Sequence, residues 1–205
     1  LGTRTIMLHG GRIVLDVEFF DSEARSGPDR TPLGAVGHDL GRVASGRLDL
    51  AGGDGSDMLA IDGPRAGPTQ VVAVLLRREP SARVVARAFP PGFEAPLLDL
   101  APGAGKWLAV SRALLPAGRT FVRVSCLEGP PSAYHLLIAR SDDPQGLVRS
   151  LFRMVARVAA DRLPYLQSRA FASDVAVGLT FGAGLDPHVV SGAVLSELGH
   201  RTAEV

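Results

Sequence analysis

Three arginines recur at every fourth position in the last third of this 205-residue chain: Arg149, Arg153 and Arg157. Residues four apart share one face of an α-helix, so the three guanidinium groups are predicted to form a stripe opposite the helix's apolar face. Like charges at this spacing repel one another unless acidic groups lie nearby. The stripe is either a solvated helix face or a binding surface for an acidic protein. Without aromatic side chains on the same face, it is not typical of a nucleic-acid site.

The side chains that could act as nucleophiles lack the patterns of known catalytic sites. Ser111 and Ser125 lie outside any Gly-x-Ser-x-Gly motif, and Cys126 has no diagnostic histidine nearby. The segment Ala104-Gly-Lys106-Trp107 lacks the upstream glycine and the Ser or Thr of a phosphate-binding loop. The histidines are spaced too irregularly for a metal site, and we predict surface or packing roles for all five: His9, His38, His135, His188 and His200. We therefore expect no catalytic site.

Composition narrows the class of protein further. Hydrophobic residues make up 46% of the chain and the net charge is +1, so one core can be buried and no overall field favours nucleic acid or an anionic membrane. No run of about 18 apolar residues is present, and we expect no membrane span. Cys126 is the only cysteine, so we expect a buried, inert thiol and no internal disulfide. Because the chain begins at Leu1 without a secretory-signal pattern, we expect a mature product or a fragment.

In the first two thirds of the chain, short apolar segments alternate with turn-forming glycines and prolines, as in a β protein. Apolar segments on either side of Gly10 and Gly11 predict an N-terminal hairpin, and the Pro- and Gly-rich residues 22–37 predict a surface loop. From Gly41 to Arg140, glycine and proline recur so often that strands fit and long helices do not. We predict that these strands stack as two sheets, with an opening strand region at residues 43–57 and further strands at 71–76, 82–89, 107–110, 120–125 and 134–139.

After residue 141 the apolar residues recur at helical spacing. Asp143-Pro144 predicts the start of an amphipathic helix that ends near Pro164. Asp186-Pro187 predicts a second helix over residues 187–198, with Gly199 as its stop. The small apolar residues 169–184 between them fit a strand or a helix. The apolar faces of these helices must be covered either by the sheets or by another chain.

Several segments, in order, resemble the bacterial pre-peptidase C-terminal domain, which is related to bacterial collagen-binding domains. The resemblance covers residues 16–140 and implies a jelly-roll-like antiparallel β-sandwich of the kind that accompanies secreted peptidases. The segments that carry it are Glu18-Phe-Phe-Asp-Ser22, Val43-Ala-Ser-Gly46, residues 53–61, residues 116–125 and residues 132–138.

The same resemblance implies a calcium site. In the collagen-binding branch, calcium lies between an acidic N-terminal segment, matched here by Asp16, Glu18 and Asp21, and loop aspartates, matched by Asp54 and Asp57. Calcium takes six to eight oxygen ligands, and converging carboxylates repel one another unless a cation lies between them. Phe20 replaces the family's asparagine and removes one ligand. The alternative is that all five acidic residues are solvated at strand ends.

We therefore predict a mainly β protein: an antiparallel jelly-roll-like β-sandwich with a C-terminal helical extension. The predicted divisions are an N-terminal strand or linker at residues 1–15, the sandwich at 16–141 and the helical extension at 142–205. The function favoured is a non-catalytic accessory or recognition domain, with a protein partner and either calcium or no cofactor. The alternatives are a protein-binding subunit or regulatory partner, for example of a peptidase, and, less favoured, a hydrolase with an unrecognised site.

Two further expectations concern ligand and location. Aromatic residues are only 5% of the chain, which disfavours collagen or chitin as a ligand because fibrous and sugar ligands are usually met by exposed rings. The family resemblance implies secretion or the cell envelope, with the cytoplasm as the alternative.

Overall fold

The computed structural model describes residues 4–8, 11–15, 30–63, 67–93, 95–157 and 169–203, with side chains described for residues 30–63, 67–93, 95–156 and 169–200. Strands β1 (Arg4–Leu8) and β2 (Gly11–Leu15) pair as an antiparallel hairpin, which confirms the predicted N-terminal hairpin.

Two further sheets confirm the predicted mainly β fold. The five-stranded sheet has the order β3-β5-β10-β7-β8, formed by Val36–His38, Ser56–Asp62, Arg119–Glu128, Arg83–Phe89 and Leu98–Leu100. The four-stranded sheet has the order β4-β11-β6-β9, formed by Val43–Leu48, Ser132–Arg140, Thr69–Arg77 and Leu108–Leu115. All neighbouring strands pair antiparallel except β3 and β5, which run parallel.

Strand β6 shows why the molecule has two cores. Successive side chains of a strand point to opposite faces, and β6 is apolar on both. The odd-numbered residues from Val71 to Leu75 pack between the two sheets, whereas the even-numbered residues from Val72 to Leu76 pack beneath the helices. The continuous apolar run therefore reflects a strand that is covered on both faces.

The helices cover the outer face of the four-stranded sheet, so the predicted apolar helix faces are buried by this chain itself. They are α1 (Pro144–Arg157), α2 (Arg169–Val177), the π-helix Gly178–Gly182 and α3 (Pro187–Ala203). None of these described helices is long and apolar enough to cross a membrane.

Both predicted helix starts are confirmed by capping hydrogen bonds. Asp143 Oδ1 accepts a bond from the Gly146 amide at 2.8 Å, and Asp186 Oδ1 accepts one from the His188 amide at 2.8 Å. Such caps satisfy amide groups that have no partner within the helix.

Two helix predictions need correction or completion. Gly199 does not stop α3, which continues to Ala203; an exposed glycine inside a helix costs only about 1 kcal/mol relative to alanine. The segment at 169–184, left open between strand and helix, is α2 followed by the π-helix. The predicted continuation of the first helix over residues 158–164 lies outside the described residues.

Candidate recognition surfaces

The arginine stripe lies on the outer face of α1. The opposite face is anchored in the core beneath the helices, with Leu147, Val148 and Leu151 at most 1% exposed. Arg149 and Arg153 are exposed one turn apart, while the side chain of Arg157 lies outside the described residues. The structure therefore places two of the three predicted guanidinium groups on one rigid, solvent-facing surface.

Four other exposed arginines are paired with aspartates on the same chain. The pairs are Arg42–Asp39 at 3.3 Å, Arg87–Asp99 at 3.1 Å, Arg119–Asp62 at 2.8 Å and Arg140–Asp142 at 2.5 Å. In two of these pairs, hydrogen bonds from the guanidinium hold the pKa of Asp62 and of Asp142 below its ordinary value. Within the described part of the chain, no carboxylate pairs with Arg149 or Arg153, so their charges are uncompensated there.

The loop between β4 and β5 carries Asp54, one of the predicted calcium ligands. The backbones of Asp49 and Asp54 form reciprocal hydrogen bonds of 2.7 and 2.8 Å, and Asp49 Oδ1 accepts a bond from the Gly52 amide at 2.9 Å. Asp54 Oδ1 is buried and has no hydrogen-bond partner among the residues that the structure describes. A buried carboxylate oxygen without a partner is costly, and a cation is one group that would satisfy it.

Asp57, the other described ligand candidate, joins the two sheets. It is only 7% exposed, and Tyr134 donates its hydroxyl to Asp57 Oδ2 at 2.7 Å. Tyr134 lies opposite Gly46 in the β11–β4 pair, and a Cβ atom at Gly46 would lie 2.5 Å from Asp57 Oδ2. Gly46 therefore leaves the space in which this inter-sheet hydrogen bond forms.

These two aspartates differ in their fit to calcium. The unpartnered oxygen of Asp54 suits a cation, whereas one oxygen of Asp57 is already used between the sheets. Among the residues that the structure describes, no group of three or more His, Cys, Asp or Glu side chains could hold a metal ion. Asp16, Glu18 and Asp21 lie outside those residues, so the five-residue ligand set stays a prediction.

Within the described residues, the hydrogen bonds of Ser111 and Cys126 go to backbone carbonyl oxygens and not to a histidine or carboxylate. Cys126 is 3% exposed, as expected for a buried thiol, and its Sγ contacts the Glu128 carbonyl oxygen at 3.6 Å. The hydroxyl of Ser111 donates to the Arg112 carbonyl oxygen at 3.4 Å.

One Ser–His pair exists that the sequence spacing does not reveal. Ser45 and His135 lie opposite each other on β4 and β11, and the Ser45 hydroxyl is 2.7 Å from His135 Nδ1. Burial, together with the positive charge of Arg78, lowers the pKa of the His135 imidazole. No carboxylate hydrogen-bonds to this imidazole in the described structure, so the third member of a catalytic triad is missing there.

Arg77, which the sequence does not single out, is the one buried arginine among the described side chains, at 3% exposed. Its guanidinium donates to three backbone carbonyl oxygens: Lys106 at 2.9 Å, Gly103 at 2.7 Å and Ala82 at 2.5 Å. Burial lowers the pKa of this guanidinium, but arginine keeps its charge in proteins. Arg77 thereby holds the β6–β7 loop, through Ala82, and the β8–β9 loop, through Gly103 and Lys106, against the end of β6.

Comparison with known proteins gives distant structural similarities only. No protein-family model matches the chain, and no curated protein is detectably similar to it. A pre-peptidase C-terminal domain of a collagenase from Bacillus anthracis shares 16% identity over 51% of this chain and 93% of that chain, with a TM-score of 0.42. A periplasmic inhibitor of g-type lysozyme from Aeromonas hydrophila shares 17% identity over 51% of this chain and 96% of that chain, with a TM-score of 0.30.

A third solved structure is a carbohydrate-binding module from Clostridium stercorarium in complex with cellobiose. It shares 16% identity over 42% of this chain and 66% of that chain, with a TM-score of 0.27. Similarities this low assign the chain to no family. Membership of the pre-peptidase C-terminal family stays a prediction.

Proposed function

We propose that this protein is a non-catalytic recognition domain that binds an acidic protein surface through Arg149, Arg153 and Arg157 on α1. The observation that supports this proposal is the exposure of Arg149 and Arg153, without a carboxylate partner in the described structure, on a helix whose other face is buried. Each guanidinium can bind a carboxylate in a bidentate manner. Because the helix is already fixed to the sheet, little backbone ordering is needed on binding.

The proposed role is that of an accessory domain to a secreted peptidase, located outside the cytoplasm. The alternative role, a regulatory or binding subunit in a multiprotein complex, uses the same surface. A peptidase whose substrate attachment depends on this domain would favour the first role. A complex that dissociates when the arginines of α1 are replaced, with peptidase activity changed on release, would favour the second.

Reversing the two described charges of the stripe tests the proposal. We expect Arg149→Glu/Arg153→Glu to bind a fluorescent poly-glutamate peptide about tenfold more weakly than the unmodified chain at low salt, because two attractive contacts become repulsive. Fluorescence anisotropy measures the dissociation constant. Raising the salt concentration is expected to remove most of the difference, since exposed charges are screened.

The matched control reverses two exposed arginines on the sheets, Arg47→Glu/Arg123→Glu, which changes the net charge by the same amount. We expect this control to weaken binding much less than the α1 variant. Equal weakening by both variants would mean that net charge alone drives the interaction, and the assignment to α1 would be wrong.

A second proposal is that Asp54 belongs to a calcium site completed by Asp16, Glu18, Asp21 and Asp57. The support for it is the buried, unpartnered oxygen of Asp54. We expect calcium to raise the melting temperature relative to EDTA, because a ligand that binds only the folded state stabilises it. Asp54→Asn should remove this increase, whereas Asp99→Asn, on the edge strand β8, should keep it. A wild-type melt that is the same in calcium and in EDTA would eliminate the site.

A further inference from the structure

The strand register of the four-stranded sheet places a serine hydroxyl against an imidazole ring. Ser45 of β4 lies directly opposite His135 of β11, and Ser45 Oγ is 2.7 Å from His135 Nδ1. Residues that are directly opposite each other in an antiparallel pair project from the same face of the sheet. The pair is therefore held by two hydrogen-bonded strands, and no loop has to close to form it.

The two side chains differ in their access to solvent. Ser45 is exposed and lies on β4, which is an edge strand of the four-stranded sheet. His135 lies on β11, between β4 and β6, and is half-buried. A reagent can therefore reach the hydroxyl from solvent, while the ring behind it is held by its neighbours.

The surroundings of His135 keep its ring neutral at pH 7. Burial, and after it the positive charge of Arg78, lowers the pKa of the imidazole from its ordinary value of about 6.5. In the tautomer that carries its proton on Nε2, Nδ1 accepts the hydrogen bond from the Ser45 hydroxyl. A neutral ring at hydrogen-bond distance from a hydroxyl is the arrangement that a general base requires.

We propose that Ser45 is a nucleophile that takes an acyl group from an activated ester, with His135 as its general base. Ser45 Oγ attacks the acyl carbon while His135 Nδ1 takes the hydroxyl proton. The bond between the acyl carbon and the leaving oxygen then breaks, and the leaving group departs with the proton from His135. The product is one ester at Ser45 in each chain. This modification goes beyond the recognition role proposed above and requires no turnover.

The chemistry of the pair restricts the acyl donor to esters with good leaving groups. No carboxylate hydrogen-bonds to His135 in the described structure, so the ring lacks the group that stabilises the imidazolium in a catalytic triad. The lowered pKa also makes the imidazole a weaker base. A phenolate leaves with little assistance, whereas the amine of a peptide bond does not. We therefore expect aryl esters to react and peptides to stay intact.

A fluorophosphonate probe tests the nucleophile. The hydroxyl attacks phosphorus, the P–F bond breaks, and the phosphonyl group stays on the serine, so peptide mass spectrometry locates it. We expect one label per folded chain, at Ser45, and none in Ser45→Ala or in the unmodified chain unfolded in urea. The matched control is Ser111→Ala, which removes a hydroxyl that donates to a backbone carbonyl oxygen and not to a base. This control should be labelled like the unmodified chain.

Replacing the imidazole tests the base. We expect His135→Gln to slow the acetylation of Ser45 by p-nitrophenyl acetate at least about a hundredfold, because a positioned general base contributes about that much. An unmodified folded chain that takes no label, or takes it mainly at another residue, would overturn the proposal. Acetylation of Ser45 at the same rate in His135→Gln would overturn it as well. Neither measurement depends on Arg149 or Arg153, so these outcomes leave the proposed recognition surface untouched.

Discussion

Replacing Arg77 by methionine is expected to lower the free energy of unfolding by about 4 kcal/mol. The methionine fills a similar volume but donates no hydrogen bond, so three backbone carbonyl oxygens lose their charged donor at once. A hydrogen bond to a charged group is worth about 1.5–3 kcal/mol, and the carbonyl groups at the protein surface recover part of this from water. The loss remains large because Arg77 fastens two separate loops.

Urea unfolding of the Arg77→Met variant measures this loss. Arg47→Met, at an exposed position of β4, is the matched control and should change the free energy of unfolding by no more than about 0.5 kcal/mol. Arg77→Lys should lie between the two, because an ammonium group keeps the charge but lacks the planar geometry that reaches all three carbonyl oxygens. If Arg77→Met were as stable as the control, the three hydrogen bonds would not hold the loops.

Replacing Gly46 by alanine is expected to lower the free energy of unfolding by about 3 kcal/mol. The added methyl group would lie 2.5 Å from Asp57 Oδ2 and 2.6 Å from Tyr134 Cε1, so the hydrogen bond between the sheets must break or β4 must move. Overpacking a core costs about 1–3 kcal/mol, and loss of a buried hydrogen bond adds to this cost.

The control for this variant is Gly37→Ala. Gly37 also lies in a strand, has no heavy atom within 4 Å of an added Cβ, and should tolerate the methyl group. Tyr134→Phe removes only the hydroxyl and is expected to cost about 1–2 kcal/mol. Gly46→Ala and Gly37→Ala with the same urea midpoint would show that the space at Gly46 is not needed for the inter-sheet bond.

The longer strands and the starts of α1 and α3 could be predicted because their signals are local, whereas the short strand Val36–His38 overlaps the predicted surface loop at 22–37. The apolar run from Val71 to Leu76 predicts a buried strand, and Asp143 and Asp186 predict helix starts through their own side chains. The predicted end of α3 at Gly199 was wrong. One residue with low helix propensity is outweighed when the rest of the helix packs against a core. The segment at 169–184 stayed open because small apolar residues fit either structure.

The proposed binding surfaces could be predicted from the sequence only where one element carries all the residues. Arg149 and Arg153 lie on a single helix, so their spacing reveals a shared face. The open cleft lined by Leu108 and Val110 of β9 also includes Phe171 of α2, which is more than sixty positions away in the chain, and no local pattern joins them. Arg77 binds backbone carbonyl groups, which every residue has, so its partners leave no signature in the sequence.

The packing of the helices on the sheet bears directly on the proposed function. The buried residues of α1 share one core with Val72, Val74 and Leu76 of β6, so the stripe is carried by a surface that the sandwich holds in place. Arg77 fixes the loop that leads to Trp107 through its hydrogen bonds to Gly103 and Lys106. The sheets act as a scaffold, and the helical layer presents the arginine stripe.

The claim that α1 is the binding face can be tested most directly by NMR of the arginine side chains. The Nε–Hε signals of the unmodified chain are followed during titration with poly-glutamate peptide and are assigned with the single variants Arg149→Gln and Arg153→Gln. We predict that the signals of Arg149 and Arg153 shift first and saturate together, while those of Arg47 and Arg123 shift little. Binding that shifts the sheet arginines and leaves Arg149 and Arg153 unchanged would contradict the account.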